Sequence, residues 1–231
     1  MTMTYRLVYH TALLSADEYM GRYRDAARFL PLCEACPRYG NCWACPPYEY
    51  DPAERIAGYR YIHLLGVQIV VTGSDGGVAN VSGRPGPGIP GGVPGGAEVP
   101  AWKAFPGAGD DQKGLPAGEW AERVLAAVRS RLDFRLLALE RQYPGSRALF
   151  AGTCSGCPAG VCPRACGEPC IRPESVRPSL EAYGFDVAGS AAELLHVPLL
   201  WPEEGQRPDY LMLVSGFLSD SAVPGFAARF A

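Results

Sequence analysis

The sequence predicts an α/β or α+β fold, in which a small mixed sheet is flanked by helices and carries two cysteine-rich loops. Two observations indicate this class. Segments with the composition of strands alternate with segments of helical periodicity along the 231 residues. All nine cysteines lie in two short windows, Cys33–Cys45 and Cys154–Cys170. A chain of this length can bury a sizeable core without help, so we predict a single domain over residues 1–231.

The N-terminal part predicts two strands with two helices between them. Residues 5–14 have the composition of a strand, and the next helix runs from a capping box at Ser15 to Pro31. A second helix begins at Asp51, which is followed by a proline at the first helical position. The β-branched, apolar run Tyr61–Thr72 predicts a buried strand that closes this part of the chain.

Residues 73–118 predict a flexible insertion, because glycine and proline dominate them and apolar periodicity is weak. The segment contains G-x-G-x-x-G at Gly86, Gly88 and Gly91. That motif binds a dinucleotide only where it opens a helix directly after a strand. Interleaved prolines such as Pro87 forbid such a helix, so no nucleotide site is predicted here.

The C-terminal half predicts one long helix followed by shorter elements. The long helix runs from Glu119 to Tyr143 and is ended by a Pro-Gly pair. Its apolar face carries Trp120, Val124, Val128, Leu132, Leu136 and Leu139. The remaining elements are a strand over 147–152, a helix around 178–183, a helix that begins at a capping box on Ser190, and a strand over 209–218. This alternation completes the sheet-and-helix pattern of the predicted class.

The composition of the chain argues against some classes of binding partner and indicates a cellular compartment. The 21 basic and 24 acidic residues give a formal charge of −3, which argues against binding to nucleic acid or anionic lipid. No segment approaches the roughly 20 apolar residues of a membrane span, and the N-terminus lacks the pattern of a secretory signal. We therefore expect a cytoplasmic location. In that reducing compartment, clustered cysteines indicate metal ligands or redox groups rather than disulfides.

The spacing of the cysteines is that of metal ligands. The first window reads C-x2-C-x5-C-x2-C, with Cys33, Cys36, Cys42 and Cys45. The second reads C-x2-C-x4-C-x3-C-x3-C, with Cys154, Cys157, Cys162, Cys166 and Cys170. Cysteines used only for packing would be scattered along the chain. Four thiolates satisfy either a tetrahedral zinc ion or a [4Fe–4S] cluster. Both loops are therefore predicted to be metal-binding loops, and all nine thiols are candidate ligands.

The compactness of the windows favours iron–sulfur clusters over zinc. Structural zinc usually takes two C-x2-C knuckles with a longer hairpin or helix between them, whereas five residues separate the two pairs of the first window. A proline often follows a cysteine ligand in iron–sulfur loops. Four of these cysteines precede a proline: Cys36, Cys45, Cys157 and Cys162. We predict two [4Fe–4S] clusters, with Zn²⁺ as the alternative cofactor.

The second window has one thiol more than a four-ligand site needs. Cys154, Cys157 and Cys170 are predicted to bind the cofactor, and either Cys162 or Cys166 completes the set. A radical-SAM cluster requires C-x3-C-x2-C, and the spacing here misses that pattern by one residue. That chemistry is therefore excluded.

Aromatic and basic residues accompany the windows. The aromatics are Tyr39, Trp43, Tyr48 and Tyr50, which either shield a cluster from water or simply pack. The arginines are Arg38, Arg164, Arg172 and Arg177, which either stabilise an anionic cluster or are ordinary solvated charges. The three histidines, His10, His63 and His196, lie in apolar segments and are predicted to be core residues rather than ligands.

Two groups of motifs carry a resemblance to a known family. The first is Cys33-x2-Cys36-Pro37-x-Tyr39-Gly40-x2-Trp43-x-Cys45-Pro46-Pro47. The second comprises Ala151-Gly152-x-Cys154-x2-Cys157, Pro169-Cys170-x2-Pro173 and Arg177-Pro178-Ser179-x-Glu181-Ala182-x-Gly184-x-Asp186-Val187. In this order, and over nearly the whole chain, the sequence resembles the cysteine-rich "predicted metal-binding protein" family of prokaryotes, a domain family of unknown function.

The resemblance implies a bound metal, with iron–sulfur favoured, held by the first four cysteines and by the second set. The chain departs from the family pattern in two ways. Its second window is stretched and contains an extra cysteine, and the insertion at 73–118 is longer than the family requires. The first departure leaves the ligands of the second site open.

These observations lead to a functional expectation. We expect a protein that holds two iron–sulfur clusters and transfers or stores electrons for a redox partner protein. The alternatives are a zinc-binding structural or regulatory protein, an iron–sulfur enzyme, and a metal-delivery factor. No Ser/His/Asp arrangement, P-loop or H-E-x-x-H motif identifies a catalytic residue. Enzymatic activity and oligomeric state therefore remain open.

Overall fold

The computed structural model describes residues 4–72, 97–98, 117–157, 160–200 and 208–230. Its five strands form one sheet in the order β3-β1-β2-β5-β4. They are β1 (Thr4–Ser15), β2 (Tyr61–Thr72), β3 (Ala97–Glu98), β4 (Arg147–Leu149) and β5 (Tyr210–Ser219). Neighbouring strands pair antiparallel. Helices cover this sheet, so the predicted fold class is confirmed.

The helices divide between the two faces of the sheet. They are α1 (Ala16–Tyr23), α2 (Ala26–Glu34), α3 (Pro52–Ala57), α4 (Ala117–Gln142) and α5 (Val187–Glu193). The apolar face of α4 packs on one side of the sheet, whereas α1, α3 and α5 contribute buried residues to the other side. Within the described part of the chain, every helix is too short or too polar to cross a membrane. Apart from residues 97–98 and 117–118, the predicted insertion at 73–118 lies outside the described residues.

The central strand β2 is mainly apolar because both of its faces are covered. Its side chains alternate between two cores: Leu65, Val67 and Ile69 join the core under α4, and Ile62 and Leu64 join the opposite one. A strand covered on both faces has no position that favours a polar residue. The predictions for β1 and β2 are confirmed to within a residue at each end, and β5 is displaced by one residue.

The single helix predicted over residues 15–31 is wrong, because the chain forms α1 and α2 with a break between them. At the break, Arg24 is extended and forms an isolated antiparallel bridge with Phe185. Asp25 then caps α2 by accepting a hydrogen bond from the backbone N–H of Arg28 at 3.0 Å. The bridge partner is far along the chain, so local periodicity does not report it.

The helix predicted to begin at Ser190 begins earlier, at Val187. Asp186 is its N-cap and accepts a hydrogen bond from the N–H of Gly189 at 2.7 Å. Ser190 therefore lies inside the helix, where its hydroxyl donates to the Asp186 carbonyl at 2.6 Å and lies 2.8 Å from the Tyr19 hydroxyl. Both residues are good caps, and the buried contact with Tyr19 settles which of them caps the helix.

Two elements predicted around the second window are shorter than expected. The strand predicted over 147–152 ends at Leu149, and the helix predicted around 178–183 is only a 3₁₀ turn, Glu181–Tyr183.

The histidines have different environments. His63 is buried and accepts a hydrogen bond from the N–H of Val223 at 3.1 Å, as expected of a core residue. The prediction is wrong for His196, which is exposed.

A buried ion pair attaches the segment after the second window to α4 and β4. The Arg177 guanidinium donates to both carboxylate oxygens of Glu140, at 2.7 and 2.5 Å. The two side chains are only 7% and 12% exposed. Glu140 also accepts a hydrogen bond from the N–H of Ala148 at 2.6 Å, so one carboxylate joins three segments.

We expect Glu140→Gln to lower the free energy of unfolding by about 3 kcal/mol, because it leaves a buried guanidinium without its counter-charge. Urea denaturation followed by far-UV circular dichroism measures the change. The matched control is Glu119→Gln on the same helix, which breaks an exposed ion pair with Arg123 and should cost less than about 0.5 kcal/mol. Equal losses of unfolding free energy in the two variants would show that the buried ion pair stabilises the fold no more than the exposed one does.

Candidate metal centre

The first cysteine window begins inside α2. This helix does not end at Pro31 as predicted but continues to Glu34, so Cys33 lies in its last turn. The following chain is a series of tight turns, in which the N–H of Cys36 donates to the Cys33 carbonyl and the N–H of Cys45 donates to the Cys42 carbonyl, both at 2.9 Å. Each C-x2-C pair is thus closed by a turn that keeps its two α-carbons close together.

The second window is a loop whose two ends meet beside β4. At its start, the N–H of Phe150 donates to the Pro178 carbonyl at 2.8 Å, and Phe150 forms an isolated parallel bridge with Ser179. Within the loop, a 3₁₀ turn, Pro163–Cys166, begins directly after Cys162. This closure holds the described cysteines of the second window over one end of the sheet.

The two windows contact each other through their cysteines. The backbone N–H of Trp43 donates to the Cys162 sulfur at 3.5 Å. The hydroxyl of Thr153 lies 3.7 Å from the Cys42 sulfur and 3.4 Å from the Cys45 sulfur. The structure therefore brings Cys42 and Cys45 of the first window beside the start and the middle of the second.

The side chain of Arg164, which lies in the second window, is bonded to backbone carbonyls in and just after the first window. Its guanidinium donates to the carbonyls of Cys42 at 3.0 Å, Cys45 at 2.7 Å and Pro47 at 2.6 Å. The same group lies 5.0 Å from the ring centroid of Trp43, whose indole N–H donates to the Glu168 carbonyl at 3.0 Å. A planar guanidinium has enough donors to satisfy three carbonyls at once. Arg164 is thus a structural connector rather than a solvated charge.

Several sulfur atoms accept hydrogen bonds from backbone amides. The N–H of Gly156 points at the Cys154 sulfur and the N–H of Arg172 at the Cys170 sulfur, each at 3.4 Å. Together with the bond to Cys162, this gives three sulfurs of the second window an amide donor. Such donors stabilise a thiolate relative to a thiol, and in iron–sulfur sites they also set the reduction potential.

The pKa values of two thiols in the first window are shifted because Cys42 and Cys45 are hydrogen-bonded to each other. The hydrogen bond from the Cys45 thiol lowers the pKa of Cys42 to about 5, and the same bond raises the pKa of Cys45. Burial raises the pKa of Cys33 and of Cys154. Since metals bind the thiolate form, loading such a site must release protons.

Exposure separates the thiols into three classes. Cys42 is buried, with 2% of its surface exposed, and Cys36 and Cys166 are exposed. The other six are partly buried. Several large apolar side chains next to cysteines in the chain are also exposed: Leu32, Val161 and Ile171. The windows therefore form a surface centre with one protected thiol.

Three tyrosines pack beside the first window. The rings of Tyr48 and Tyr50 stack with centroids 5.0 Å apart, and Tyr183 meets both edge-on. The Tyr48 hydroxyl donates to the Ala44 carbonyl at 2.6 Å, and the hydroxyls of Tyr50 and Tyr183 lie 3.1 Å apart. We call these three residues the tyrosine cluster. The sequence singled out Tyr48 and Tyr50 but not Tyr183.

Other functional residues were also missed from the sequence. Thr153 was not singled out, although it hydrogen-bonds with two cysteines of the other window. Arg164 was grouped with three other arginines, and no sequence signal distinguished it from them. A residue that acts across two distant segments has no local pattern that marks it.

In the described ranges, no three histidine, cysteine, aspartate or glutamate side chains are close enough together to hold one metal ion. The predicted division of the thiols into two ligand sets therefore stays a prediction. The donors nevertheless suit a thiolate-bound metal, because cysteine sulfurs predominate and backbone amides point at three of them.

Comparison with known proteins supplies one match. A family model described as "Predicted metal-binding protein (DUF2284)" matches residues 21–218, which include both cysteine windows. No curated protein and no solved structure matches the chain.

Proposed function

The chain belongs to this family of predicted metal-binding proteins, and from that membership we propose that the metal is iron, bound as two [4Fe–4S] clusters. The observation that carries this proposal is the set of backbone amides directed at the sulfurs of Cys154, Cys162 and Cys170. Short loops that combine clustered thiolates with amide donors are typical of iron–sulfur sites. The bound clusters would supply one-electron redox chemistry.

The proposed ligands are the four cysteines of the first window and four of the five in the second. In the second window, Cys162 is favoured over Cys166. The Cys162 sulfur accepts an amide hydrogen bond from the first window, whereas Cys166 is exposed in the last position of a 3₁₀ turn. The proposed second set is therefore Cys154, Cys157, Cys162 and Cys170.

We further propose that the clusters exchange electrons with a redox partner protein in the cytoplasm. The exposure of Cys36 and of apolar residues beside other cysteines supports this role, because electron transfer to a partner requires a centre close to the surface. Apolar side chains around such a centre suit transient docking of another protein. Arg164 and the tyrosine cluster would support the loops and limit the access of water.

Metal analysis of the full chain tests this proposal directly. We expect protein purified without oxygen to be brown, to absorb near about 400 nm, and to contain about eight irons with matching labile sulfide per chain. Exposure to a strong iron chelator under reducing conditions should remove the colour together with the iron. A colourless protein that carries stoichiometric zinc and no labile sulfide would contradict the proposal and support the zinc alternative.

A further inference from the structure

A small pocket lies at the end of the sheet beside the tyrosine cluster. Its volume is about 100 Å³, and it is lined by Arg55, Tyr59, Arg147, Tyr183 and Leu218. Arg147 and Leu218 are cross-strand neighbours in β4 and β5, and Arg55 belongs to α3. The pocket is thus formed by residues that lie on both sides of the second window in the chain. No cysteine lines it.

Two arginines and no carboxylate line this pocket. Among the residues that the structure describes, neither Arg55 nor Arg147 takes part in an ion pair. The buried carboxylate nearby belongs to Glu140, and both of its oxygens are already bonded to Arg177. Burial, and after it the charge of Arg177, lowers the pKa of Arg147, and the charge of Glu140 opposes them only in part. A half-buried guanidinium with no ion-pair partner of its own is costly to desolvate, and a bound anion would offset that cost.

Two of the side chains that line the pocket are held in place by contacts with Tyr50. The Arg55 guanidinium lies 3.8 Å from the ring centroid of Tyr50, which fixes one face of the group. The Tyr183 hydroxyl is held 3.1 Å from the Tyr50 hydroxyl. Arginine donors in a fixed plane recognise the oxygens of carboxylates and phosphates. Two such groups and two tyrosines around one pocket match an oxyanion better than an apolar or cationic ligand.

We propose that this pocket is a binding site for a small oxyanion, either a phosphate or a carboxylate group. Pockets for drug-sized molecules measure roughly 300–1,000 Å³, so a pocket of this size takes only a group of a few heavy atoms. Tyr183 belongs both to the pocket and to the tyrosine cluster, which packs beside the first window. The bound oxyanion therefore lies one layer of side chains from the candidate metal centre. The site does not depend on which metal the cysteines hold.

Isothermal titration calorimetry of the purified full chain tests this site, with inorganic phosphate in one arm and acetate in the other. Chloride keeps the ionic strength constant, because screening alone changes weak anion binding. We expect saturable binding of one anion per chain. Binding in the phosphate arm alone identifies a phosphate site, binding in the acetate arm alone identifies a carboxylate site, and binding in both supports general oxyanion recognition.

Variants of the two pocket arginines test whether the anion binds in this pocket. Arg147→Gln should weaken binding at least about tenfold and Arg55→Gln severalfold, whereas Arg147→Lys, which keeps the charge, should lie between Arg147→Gln and the unchanged protein. Arg123→Gln, on the exposed face of α4, is the matched control and should bind as the unchanged protein does. If Arg147→Gln does not fold, the exposed Arg55 variant decides the test. Absence of saturable binding in both arms, or binding unaffected by the pocket variants, overturns the proposal.

Discussion

Cys42→Ser should remove at least half of the iron from the anaerobically purified protein. Cys42 is the most deeply buried of the nine thiols, so solvent has little access to the position of its sulfur. Serine preserves the size of the side chain, but its hydroxyl is a poor ligand for iron compared with a thiolate. The loss should amount to about four irons and four labile sulfides per chain if one of two [4Fe–4S] clusters is lost.

The measurement is iron and labile sulfide per chain, together with absorbance near about 400 nm. Far-UV circular dichroism checks that the sheet and the helices persist in the variant. The matched control is Cys166→Ser, which changes an exposed thiol outside the proposed ligand set and should leave the iron content unchanged. Full iron content in the Cys42 variant would show that the first window does not use this thiol. Loss of iron in the Cys166 variant would show instead that Cys166 is a ligand of the second site.

Arg164→Gln should accelerate the loss of metal from the protein, even though Arg164 is not a ligand. Its guanidinium holds three carbonyls in and just after the first window, and glutamine has only one amide group to donate. Hydrogen bonds from a charged donor contribute about 1.5 to 3 kcal/mol each. Because Arg164 is partly exposed, we expect a total effect of about 2 kcal/mol, or roughly 30-fold faster extraction by a chelator.

Stopped-flow absorbance during chelation measures this rate. Arg164→Lys tests the role of geometry, since an ammonium group keeps the charge but cannot reach three carbonyls in one plane. It should behave like Arg164→Gln rather than like the unchanged protein. Arg38→Gln, which removes an exposed arginine of the first window, is the control for charge alone. Equal rates in the Arg38 and Arg164 variants would contradict a connecting role for Arg164.

Much of the scaffold could be predicted because its signals are local. β1 and β2 each have twelve residues of strand-like composition, and α4 repeats its apolar residues at helical spacing over seven turns. Strands and helices of this length bury enough apolar surface to outweigh the conformational preferences of single residues. The short elements near the windows were less predictable. Their ends are set by single contacts, such as the bridge of Arg24 with Phe185 and the hydroxyl contact of Ser190 with Tyr19.

The candidate site likewise has some features that the sequence predicts and others that it does not. The cysteine spacing predicts metal ligands, and membership of a family of predicted metal-binding proteins supports metal binding by this chain. Thr153 and Arg164 could not be assigned roles from the sequence. Arg164 bonds to the Cys45 carbonyl across 119 residues of chain, and no pattern in either segment reports the other.

The sequence by itself therefore determined that all nine cysteines lie in two windows at the spacing of metal ligands, because ligand spacing is a property of a few consecutive residues. Only the tertiary structure decided that the two windows lie against each other. The antiparallel pairing of β2 with β5 and of β5 with β4, together with the bridge between Arg24 and Phe185, places the end of α2 beside the loop after β4. That proximity results from sheet register and core packing, which depend on the whole chain.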